Sequence, residues 1–422
     1  MKRGLLFFVL FLPLLAAAEP VDTGAVVNAI NALGLDLYRT QAAGDGNLVF
    51  SPYSIQNALA MTYAGAAGDT RAEMQRVLHY PADDTALNGG FAELARELAQ
   101  IAHDSAKRAE EIKSTGGDPN KPIEFHLANR LFVQKDYPLR AHFLALVKDN
   151  YGALPGELDF AHLAEDARTT INQWAEDNTK GKIQNLIPPD GLSEKTRLVL
   201  ANAVYLFATW GRQFVADATK PEPFFVRGTE RVSVPTMWQR AKFGYAHHSG
   251  FTILALPYEG GDLQFLILLP GRRKGLPALE RKITPELLVE CAKLPLSDVI
   301  LYLPKFKLDP QSIALSNQLR QLGMKTAFDE PIGSANFDGM APRKPNDYLA
   351  IDKVFHKAFF KLDEEGTEAA AATNIIVIAT FGAEEEPPPE PIEVHVDHPF
   401  IFAIQHVPSG ECLFLGRVTD PR

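Results

Sequence analysis

The chain has 422 residues, of which 46% are hydrophobic and 22% are charged, enough for one large core or two ordinary domains. Its 52 acidic residues outnumber its 42 basic ones, and the formal net charge is -10. Proteins that bind nucleic acids normally carry excess positive charge, so we expect no nucleic-acid partner. The only two cysteines, Cys291 and Cys412, lie in separate predicted elements, and we expect them to remain unpaired.

The first residues have the pattern of a secretory signal peptide. Two basic residues precede an apolar run over residues 5–15, and three alanines ending at Ala18 follow it. A positive start, a short apolar run and a small-residue cleavage site predict that residues 1–18 are removed on export. The run is too short to cross a bilayer as a stable helix, so no membrane span is expected. We therefore expect residues 19–422 to be secreted or periplasmic, and the absence of any Asn-X-Ser/Thr sequon fits a bacterial source.

The first half of the mature chain is mostly helical. An amphipathic run predicts a first helix over residues 25–42, and Ser51 and Pro52 form a good cap and first turn for a second helix that stops at Gly65. The many small residues of this second helix predict that it lies close against another element. Further helices are predicted over residues 70–78, 91–112, 140–150 and 163–179, with a strand over 123–133 among them.

The second half is dominated by strands. Residues 196–210 form a nearly continuous apolar run, which is typical of a central strand buried on both faces. Further strands are predicted around Phe224 and over residues 242–257, 263–270, 299–308 and 349–363, with a hairpin formed by 398–405 and 411–418. Two short helices are predicted within residues 275–294 and one over 311–323. Helices first and mainly antiparallel strands later predict an α+β fold rather than a series of βαβ units.

The stretch from Glu364 to Phe381 has contradictory chemistry. Gly366 is followed by small and then β-branched residues. If the side chains alternate between two faces, as in a strand, both faces carry few polar side chains before Thr380. That pattern is typical of a strand buried on both faces, although composition alone favours a strand with a linker or the start of an alanine-rich helix. Residues 384–391 then form an acidic, proline-rich run that we expect to be solvated and extended. One end of the stretch therefore suits a sheet and the other does not.

Motifs for common catalytic and cofactor sites are missing from the sequence. It contains no Gly-X-Ser-X-Gly turn, Ser-X-X-Lys nucleophile, His-Glu-X-X-His zinc helix, Walker loop or Gly-X-Gly-X-X-Gly fingerprint. The one histidine pair, His247 and His248, has no neighbouring ligands at metal spacing, and we interpret it as a surface turn. We therefore expect no enzymatic activity, no catalytic residue, no bound metal and no cofactor.

Residues 364–373, Glu-Glu-Gly-Thr-Glu-Ala-Ala-Ala-Ala-Thr, resemble the reactive-centre loop hinge of inhibitory serpins. Other segments resemble serpin elements in family order, at residues 47–70, 128–133, 171–183, 303–306, 335–340 and 398–418. The resemblance implies one serpin domain over residues 19–422, with three β-sheets, eight or nine helices and an exposed reactive-centre loop at about 364–391. Serpins usually carry a Lys-Gly pair where this chain has Phe207 and Ala208, which leaves the local structure at the top of the main sheet open.

The resemblance also implies a set of functional residues in this chain. The hinge is expected at Glu364, Gly366, Thr367, Glu368, Ala369, Ala370, Ala371 and Ala372. A polar cluster beneath the middle of the main sheet, called the shutter, would control the separation of strands and is expected at Ser51, Ser54, Asn202 and His356. At the top of the sheet, where the loop first inserts, lies a region called the breach, expected at Trp210 and at an ion pair of Lys305 and Glu364.

The implied function is inhibition of serine proteases by a monomeric protein. A serpin presents its loop as a substrate, and the cleaved loop inserts into the main sheet while the protease remains bound as a covalent acyl-enzyme. Family spacing places the reactive bond between Thr380 and Phe381, which favours elastase-like or subtilisin-like targets with a small apolar pocket. Cleavage after Phe381 would favour a chymotrypsin-like target. A cysteine protease would form an equivalent acyl-enzyme and is a further alternative.

A non-inhibitory serpin, acting as a chaperone or carrier, is the alternative within the family. Such members usually have bulky, charged or proline residues in the hinge, so the small residues at Thr367 and at positions 369–372 favour an inhibitor. A secreted hydrolase is a third alternative, and no motif in the chain supports it.

Overall fold

The computed structural model describes residues 21–42, 44–345, 347–367 and 390–422. Within these ranges the chain forms nine α-helices: α1 (Gly24–Gln41), α2 (Pro52–Tyr63), α3 (Gly68–Val77), α4 (Asp84–Ser114), α5 (Ala141–Tyr151), α6 (Phe160–Asn178), α7 (Leu276–Glu280), α8 (Pro285–Glu290) and α9 (Ser316–Gln321). Three short 3-10 helices cover Ala216–Ala218, Cys291–Lys293 and Thr326–Phe328. None of the helices described is both long and apolar enough to cross a membrane.

The strands of the described residues form two hydrogen-bonded sheets. In chain order they are β1 (Leu48–Phe50), β2 (Glu124–Gln134), β3 (Gly156–Leu158), β4 (Leu198–Thr209), β5 (Lys220–Val226), β6 (Glu230–His248), β7 (Phe251–Pro257), β8 (Leu263–Pro270), β9 (Leu296–Pro304), β10 (Phe306–Leu308), β11 (Ile313–Ala314), β12 (Ile351–Ala358), β13 (Phe360–Leu362), β14 (Gly366–Thr367), β15 (Ile392–His395), β16 (Phe400–His406) and β17 (Cys412–Val418).

The main sheet has eight strands and is organised around β4. Along one edge β4 pairs antiparallel with β2. Along its other edge it pairs parallel with β12 and, at the end near Thr209, which we call the top of the sheet, antiparallel with β14. All 12 residues of β4 are buried, as expected for a central strand. Its odd-numbered apolar residues pack in one core cluster with α6, and its even-numbered apolar residues pack in another with α2.

The second sheet has nine strands, in the order β1-β17-β16-β8-β7-β6-β9-β15, with β5 also paired to β6. Strand β6 has 19 residues. Its residues 230–236 pair with β5, residues 236–244 pair with β9, and residues 244–248 pair with β7. This continuous strand joins two of the three expected sheets into one hydrogen-bonded network. The α+β class is confirmed, and the predicted C-terminal hairpin is present as β16 and β17.

Several predicted boundaries are wrong. The run predicted over residues 242–257 consists of the end of β6, a turn at Gly250 and β7, and Gly250 has a φ of +92° that suits a glycine turn. Two other predicted strands are interrupted, by Lys305 between β9 and β10 and by Phe359 between β12 and β13. The helix predicted over residues 311–323 is limited to the six residues of α9. Strands β1 and β15 have no counterpart among the predicted elements.

Cys291 and Cys412 are both buried free thiols. Burial raises the pKa of Cys291 to about 12 and raises the pKa of Cys412 further. Both thiols are therefore protonated at neutral pH, and they behave as small apolar side chains of the core.

Candidate functional site

A row of polar side chains crosses the middle of the main sheet. In the register of the sheet, Asn202 of β4 lies opposite Asn129 of β2 on one side and opposite His356 of β12 on the other. The Asn202 side-chain amide donates to Asn129 Oδ1, and Asn202 Oδ1 accepts from His356 Nδ1. Three neighbouring strands are therefore joined at one level by side chains as well as by their backbones.

The N-terminus of α2 completes this shutter cluster. Ser51 caps the helix by accepting a hydrogen bond from the Ser54 backbone N–H (3.1 Å). Ser54 Oγ donates to Asn129 Oδ1 (2.9 Å) and accepts from Asn202 Nδ2 (2.6 Å). The structure thus brings Ser51, Ser54, Asn202 and His356 together, and all four side chains are buried.

Hydrogen bonding determines the protonation state of His356. Its Nε2 accepts from the Ser51 backbone N–H (3.1 Å), while its Nδ1 donates to Asn202 Oδ1. Only the neutral ring with its proton on Nδ1 satisfies both partners. Complete burial lowers the pKa of His356 to about 3, so the ring stays neutral at physiological pH.

Two asparagines extend the shutter beyond the residues expected from the sequence. Asn129 contacts both Ser54 and Asn202, and its Nδ2 donates to Asn57 Oδ1 on α2 (3.2 Å). The sequence contains one signal for Asn129, an uncharged amide in the middle of a predicted strand. The sequence contains no signal for Asn57, because α2 has no polar stripe to mark the face toward the sheet. In the structure every residue of this helix is buried.

At the top of the sheet, in the breach, Lys305 and Glu364 form an ion pair. Lys305 Nζ lies 2.6 Å from Glu364 Oε2, and the Glu364 side chain is only 12% exposed. The other carboxylate oxygen accepts from Thr219 Oγ1 (2.7 Å). Burial alone would raise the pKa of Glu364, but the hydrogen bonds from Lys305 and Thr219 outweigh it and lower this pKa below its ordinary value. Glu364 is therefore an anion held in place at the start of the hinge.

Trp210 binds the backbone on both sides of Glu364. Its backbone N–H donates to Glu365 O (2.8 Å), and its indole Nε1–H donates to Asp363 O (2.9 Å). The indole is stacked on Tyr258, with ring centroids 4.7 Å apart and an interplanar angle of 6°. The start of the loop is therefore attached to a buried aromatic pair.

Gly366 and Thr367, two of the expected hinge residues, already form part of the main sheet. They make up β14, which pairs antiparallel with Thr209 and Ala208 of β4. Strand β14 also pairs with β13, so it lies between two strands at the top of the sheet. A Cβ atom at Gly366 would lie 2.1 Å from Ala208 O, and this position therefore requires glycine.

Tyr258 is a further residue of the breach that sequence analysis does not identify. Its hydroxyl lies 2.5 Å from the hydroxyl of Thr367, and both side chains are buried. The same tyrosine therefore supports the Trp210 ring and bonds the hinge. A single tyrosine between two strands has no motif, and its role depends on the packing of separate elements.

The remaining expected positions lie outside the described residues: hinge residues Glu368, Ala369, Ala370, Ala371 and Ala372, and the reactive-bond residues Thr380 and Phe381.

Toward the other end of the sheet, β4 pairs directly with β12 from Leu198 opposite Ile351 to Val204 opposite Ala358. Insertion of the loop beyond Thr367 would therefore require β4 and β12 to separate.

Histidine, cysteine and carboxylate side chains of the described part of the chain form no group arranged to hold a metal ion. His247 and His248 are the last residues of β6. The His248 ring is stacked on Phe251 with centroids 4.8 Å apart, and His247 Nδ1 lies 3.3 Å from Thr252 Oγ1. Both histidines thus belong to the hairpin between β6 and β7.

Comparison with known proteins finds similar sequences over nearly the whole chain. A family model described as Serpin (serine protease inhibitor) matches residues 28–421. The leukocyte elastase inhibitor of Bos taurus is 38% identical, and the match covers 94% of this chain and 99% of that protein. An uncharacterized serpin-like protein of Thermococcus kodakarensis is 39% identical, covering 94% of this chain and 86% of its own.

Solved structures share the fold described above. The crystal structure of Serpin48 from the insect Tenebrio molitor matches with a TM-score of 0.79 at 32% identity, covering 96% of this chain and all of that one. The crystal structure of uncleaved ovalbumin matches with a TM-score of 0.76 at 27% identity, covering 94% of this chain and all of that one. The arrangement of helices and sheets around β4 is therefore one already known from solved proteins.

Proposed function

The chain belongs to the serpin family, and we propose that it inhibits serine proteases by inserting its cleaved loop into the main sheet while the protease is bound as an acyl-enzyme. The matching family is described as one of serine protease inhibitors, and relatives of this chain are named as elastase inhibitors, so the protein is not classed as an enzyme; its fold is the serpin fold. The observation that carries the proposed mechanism is the pairing of Gly366 and Thr367 between β4 and β13. The loop begins as a strand of the sheet that it would extend.

Full insertion would extend β14 between β4 and β12. A strand over residues 365–380 spans roughly 50 Å at about 3.3 Å per residue, comparable to the diameter of a small protease. The branched side chains at positions 375–378 would each contribute about 1.5–3 kcal/mol if fully buried. Before that gain, the parallel pairing of β4 with β12 and the bond between Asn202 and His356 must break. The shutter cluster therefore opposes insertion until cleavage releases the loop.

The protease supplies the reacting groups, and the loop supplies an ordinary peptide bond. The protease's nucleophilic oxygen attacks the carbonyl carbon of that bond, the C–N bond breaks, and a proton passes to the new amino terminus. The N-terminal part of the loop then remains attached to the protease as an ester. Insertion before hydrolysis of the ester would carry the protease away from the top of the sheet and leave the ester intact.

We place the reactive bond between Thr380 and Phe381, and the target is then an elastase-like or subtilisin-like protease. Thr380 is small and follows Ile378 and Ala379, which suits a small apolar specificity pocket. Relatives from Bos taurus and Mus musculus named as leukocyte elastase inhibitors support this target class. Cleavage one residue later would place Phe381 in the pocket of a chymotrypsin-like protease. A cysteine protease would give the corresponding thioester, and inhibition by insertion would proceed in the same way.

We also propose that the protein acts outside the cytoplasm. The pattern of residues 1–18 supports export, and those residues lie outside the described part of the chain. Expression of the full sequence in a bacterial host with cell fractionation tests this. The expected product is a periplasmic or secreted chain that begins at Glu19, and a cytoplasmic chain that retains residues 1–18 would contradict export.

Reaction of the mature protein with pancreatic elastase and, separately, with chymotrypsin tests the inhibitory mechanism. We expect elastase to give a complex that survives denaturing electrophoresis and to release a C-terminal peptide whose mass corresponds to a start at Phe381. A peptide starting at Gly382 would identify Phe381 as the specificity residue. Elastase blocked at its active-site serine is the control and should give no complex. Cleavage of the loop without a stable complex with any serine or cysteine protease would contradict the proposal and favour a non-inhibitory serpin.

A further inference from the structure

We propose that a cavity beside Trp210 is a binding site for a small aromatic anion that carries one hydrogen-bond donor. The cavity has a volume of about 420 Å³ and lies between the end of β4, the middle of β6 and the turn that follows β7. Sites for small molecules commonly have volumes of about 300–1,000 Å³, with mainly apolar walls and a few polar groups that orient the ligand.

The walls of the Trp210 cavity are mainly aromatic. Trp210, Phe214, Phe243 and Tyr258 all line it, and each of these side chains is otherwise buried. Trp210 is stacked on Tyr258 and contacts Phe214 edge to face, with centroids 6.1 Å apart. These contacts hold the rings in fixed orientations, so the cavity would present a preformed aromatic surface to a flat ligand.

One polar group in the cavity wall lacks a hydrogen-bond partner. Gln239 is only 5% exposed; its Nε2 donates to Arg212 O (3.3 Å), whereas its Oε1 accepts no hydrogen bond from any described residue. A buried carbonyl oxygen without a donor is unfavourable, and a ligand N–H or O–H would supply the missing bond. Gln239 therefore specifies the donor that the ligand should carry.

The charges around the cavity favour an anion. Arg212 and Lys242 line it and are exposed, while no acidic residue does. Arg212 forms no ion pair with any described residue. Lys242 lies opposite Asp298 in the register of β6 and β9, and Asp298 is bound by Arg240 (2.6 Å). A positive rim on a protein with a net charge of -10 is a local feature that would select a negatively charged ligand.

Occupancy of this cavity would bear on the loop. A ligand in it would lie against Trp210 and Tyr258, whose side chains hydrogen-bond to Asp363 O (from the indole Nε1–H) and to the Thr367 hydroxyl. Holding these two rings in place would hold the first residues of the loop in place and would slow further insertion. This consequence rests on the proposed function, whereas binding of the ligand does not.

Two fluorescent probes that differ by one charge test the site. 8-Anilinonaphthalene-1-sulfonate has fused aromatic rings, one N–H donor and a sulfonate, and 1-anilinonaphthalene has the same rings and donor without the charge. We expect the wild type to bind the sulfonate at one site and at least about five-fold more tightly than the neutral probe. Gln239→Leu should weaken both probes by about five-fold, because it removes the acceptor and preserves most of the side-chain volume.

Charge reversal at Arg212 or Lys242, the basic residues at the rim of the cavity, distinguishes binding at this site from nonspecific binding of the probes to apolar surfaces. Arg212→Glu and Lys242→Glu should each weaken the sulfonate by about five-fold and leave the neutral probe unchanged, while Arg281→Glu, an exposed reversal elsewhere, should change neither. Both rim positions are exposed, so these variants should fold even if Gln239→Leu does not. Absence of saturable binding, or equal affinities across all variants, would overturn the site.

The rate of complex formation with elastase tests the consequence for the loop. At a probe concentration near the wild-type Kd, the sulfonate should slow complex formation in the wild type and slow it much less in Arg212→Glu, whose site is then about three-fold less occupied. Equal rates with and without the probe would overturn the coupling to the loop. A wild type that forms no complex even without the probe would contradict the proposed function and leave the binding result intact.

Discussion

Asn202 and His356 lie opposite each other in the register of β4 and β12, and the side-chain oxygen of Asn202 accepts a hydrogen bond from the His356 ring. These are the two strands that must separate if the loop is to insert in full. The bond is completely buried, so no solvent molecule replaces either partner while the strands remain paired. The stability of the closed sheet and the resistance to insertion therefore depend on the same pair of residues.

The pH dependence of stability should reveal the buried neutral ring of His356. Burial lowers the pKa of His356 from about 6.5 in an unfolded chain to about 3 in the folded protein. The folded state thus binds the proton more weakly, so the contribution of this group is complete above pH 6.5 and is lost as the pH falls toward 3. Between pH 6.5 and 4.5 the wild type should lose about 2 kcal/mol of unfolding free energy that His356→Gln does not lose.

Urea unfolding at several pH values between 7.5 and 4.5 measures this difference. His406, whose pKa burial lowers to about 4, is present in both proteins, so its effect cancels in the comparison. His395→Gln, at an exposed histidine, is the matched control and should follow the wild type. Parallel pH profiles for the wild type and His356→Gln would mean that the ring is already charged or solvated in the folded state.

Reversing the charge of Lys305 should weaken the attachment of the start of the hinge to the top of the main sheet. Lys305→Glu removes the 2.6 Å ion pair with Glu364 and places two carboxylates side by side. Lys305 is 35% exposed, so the pair itself should contribute only about 1 kcal/mol. Most of the effect should come from the new repulsion, and we expect loss of monomer on warming to be about five-fold faster.

Size-exclusion chromatography after timed incubation at an elevated temperature follows the loss of monomer by polymerisation, and assay of the recovered monomer follows conversion to an inactive form. Lys107→Glu is the matched control, since Lys107 lies 3.8 Å from Glu111 on the surface of α4 with both side chains 66% exposed. Equal rates for Lys305→Glu, Lys107→Glu and the wild type would argue against a role for the Lys305–Glu364 pair in delaying insertion.

Gly366→Ala should convert part of the inhibitor into a substrate. The new Cβ would lie 2.1 Å from Ala208 O, so β14 would have to leave its position between β4 and β13. We expect slower insertion, a larger fraction of cleaved and released inhibitor, and a loss of about 1–3 kcal/mol in unfolding free energy. The molar ratio of inhibitor to protease needed for complete inhibition measures the first effect.

Gly46→Ala is the control for this substitution, because a Cβ at Gly46 would meet no atom within 4 Å. Its stoichiometry and unfolding free energy should match the wild type. A Gly366→Ala variant with the same stoichiometry as Gly46→Ala would show that pairing of β14 does not assist insertion.

Features with a strong local signal were predicted well from the sequence. The apolar run that became β4 is buried along its whole length, and the Ser51 cap predicted the start of α2 to the residue. The serpin resemblance then identified Lys305 and Glu364, which no local pattern could connect, since they lie in separate elements.

Features that depend on packing between distant elements were missed. The first half of β6 contains Pro235 and several charged residues, which argue against a strand, yet this segment pairs with β5 and β9. Asn129 and Tyr258 acquire their roles only when β2 meets β4 and when the turn after β7 meets the hinge. Gln239 likewise becomes an unpaired buried acceptor only through the packing around Trp210.

If the cleaved loop becomes a strand of the main sheet, as we claim, then cleavage of the loop should raise the Tm of the protein. Thr367→Arg is the control, because Thr367 is 1% exposed between β4 and β13 and an arginine there should prevent insertion. We predict that a single cleavage in the loop raises the Tm of the wild type by about 10 °C or more and leaves that of the variant nearly unchanged. A wild-type Tm that stays the same or falls after complete cleavage would contradict the claim.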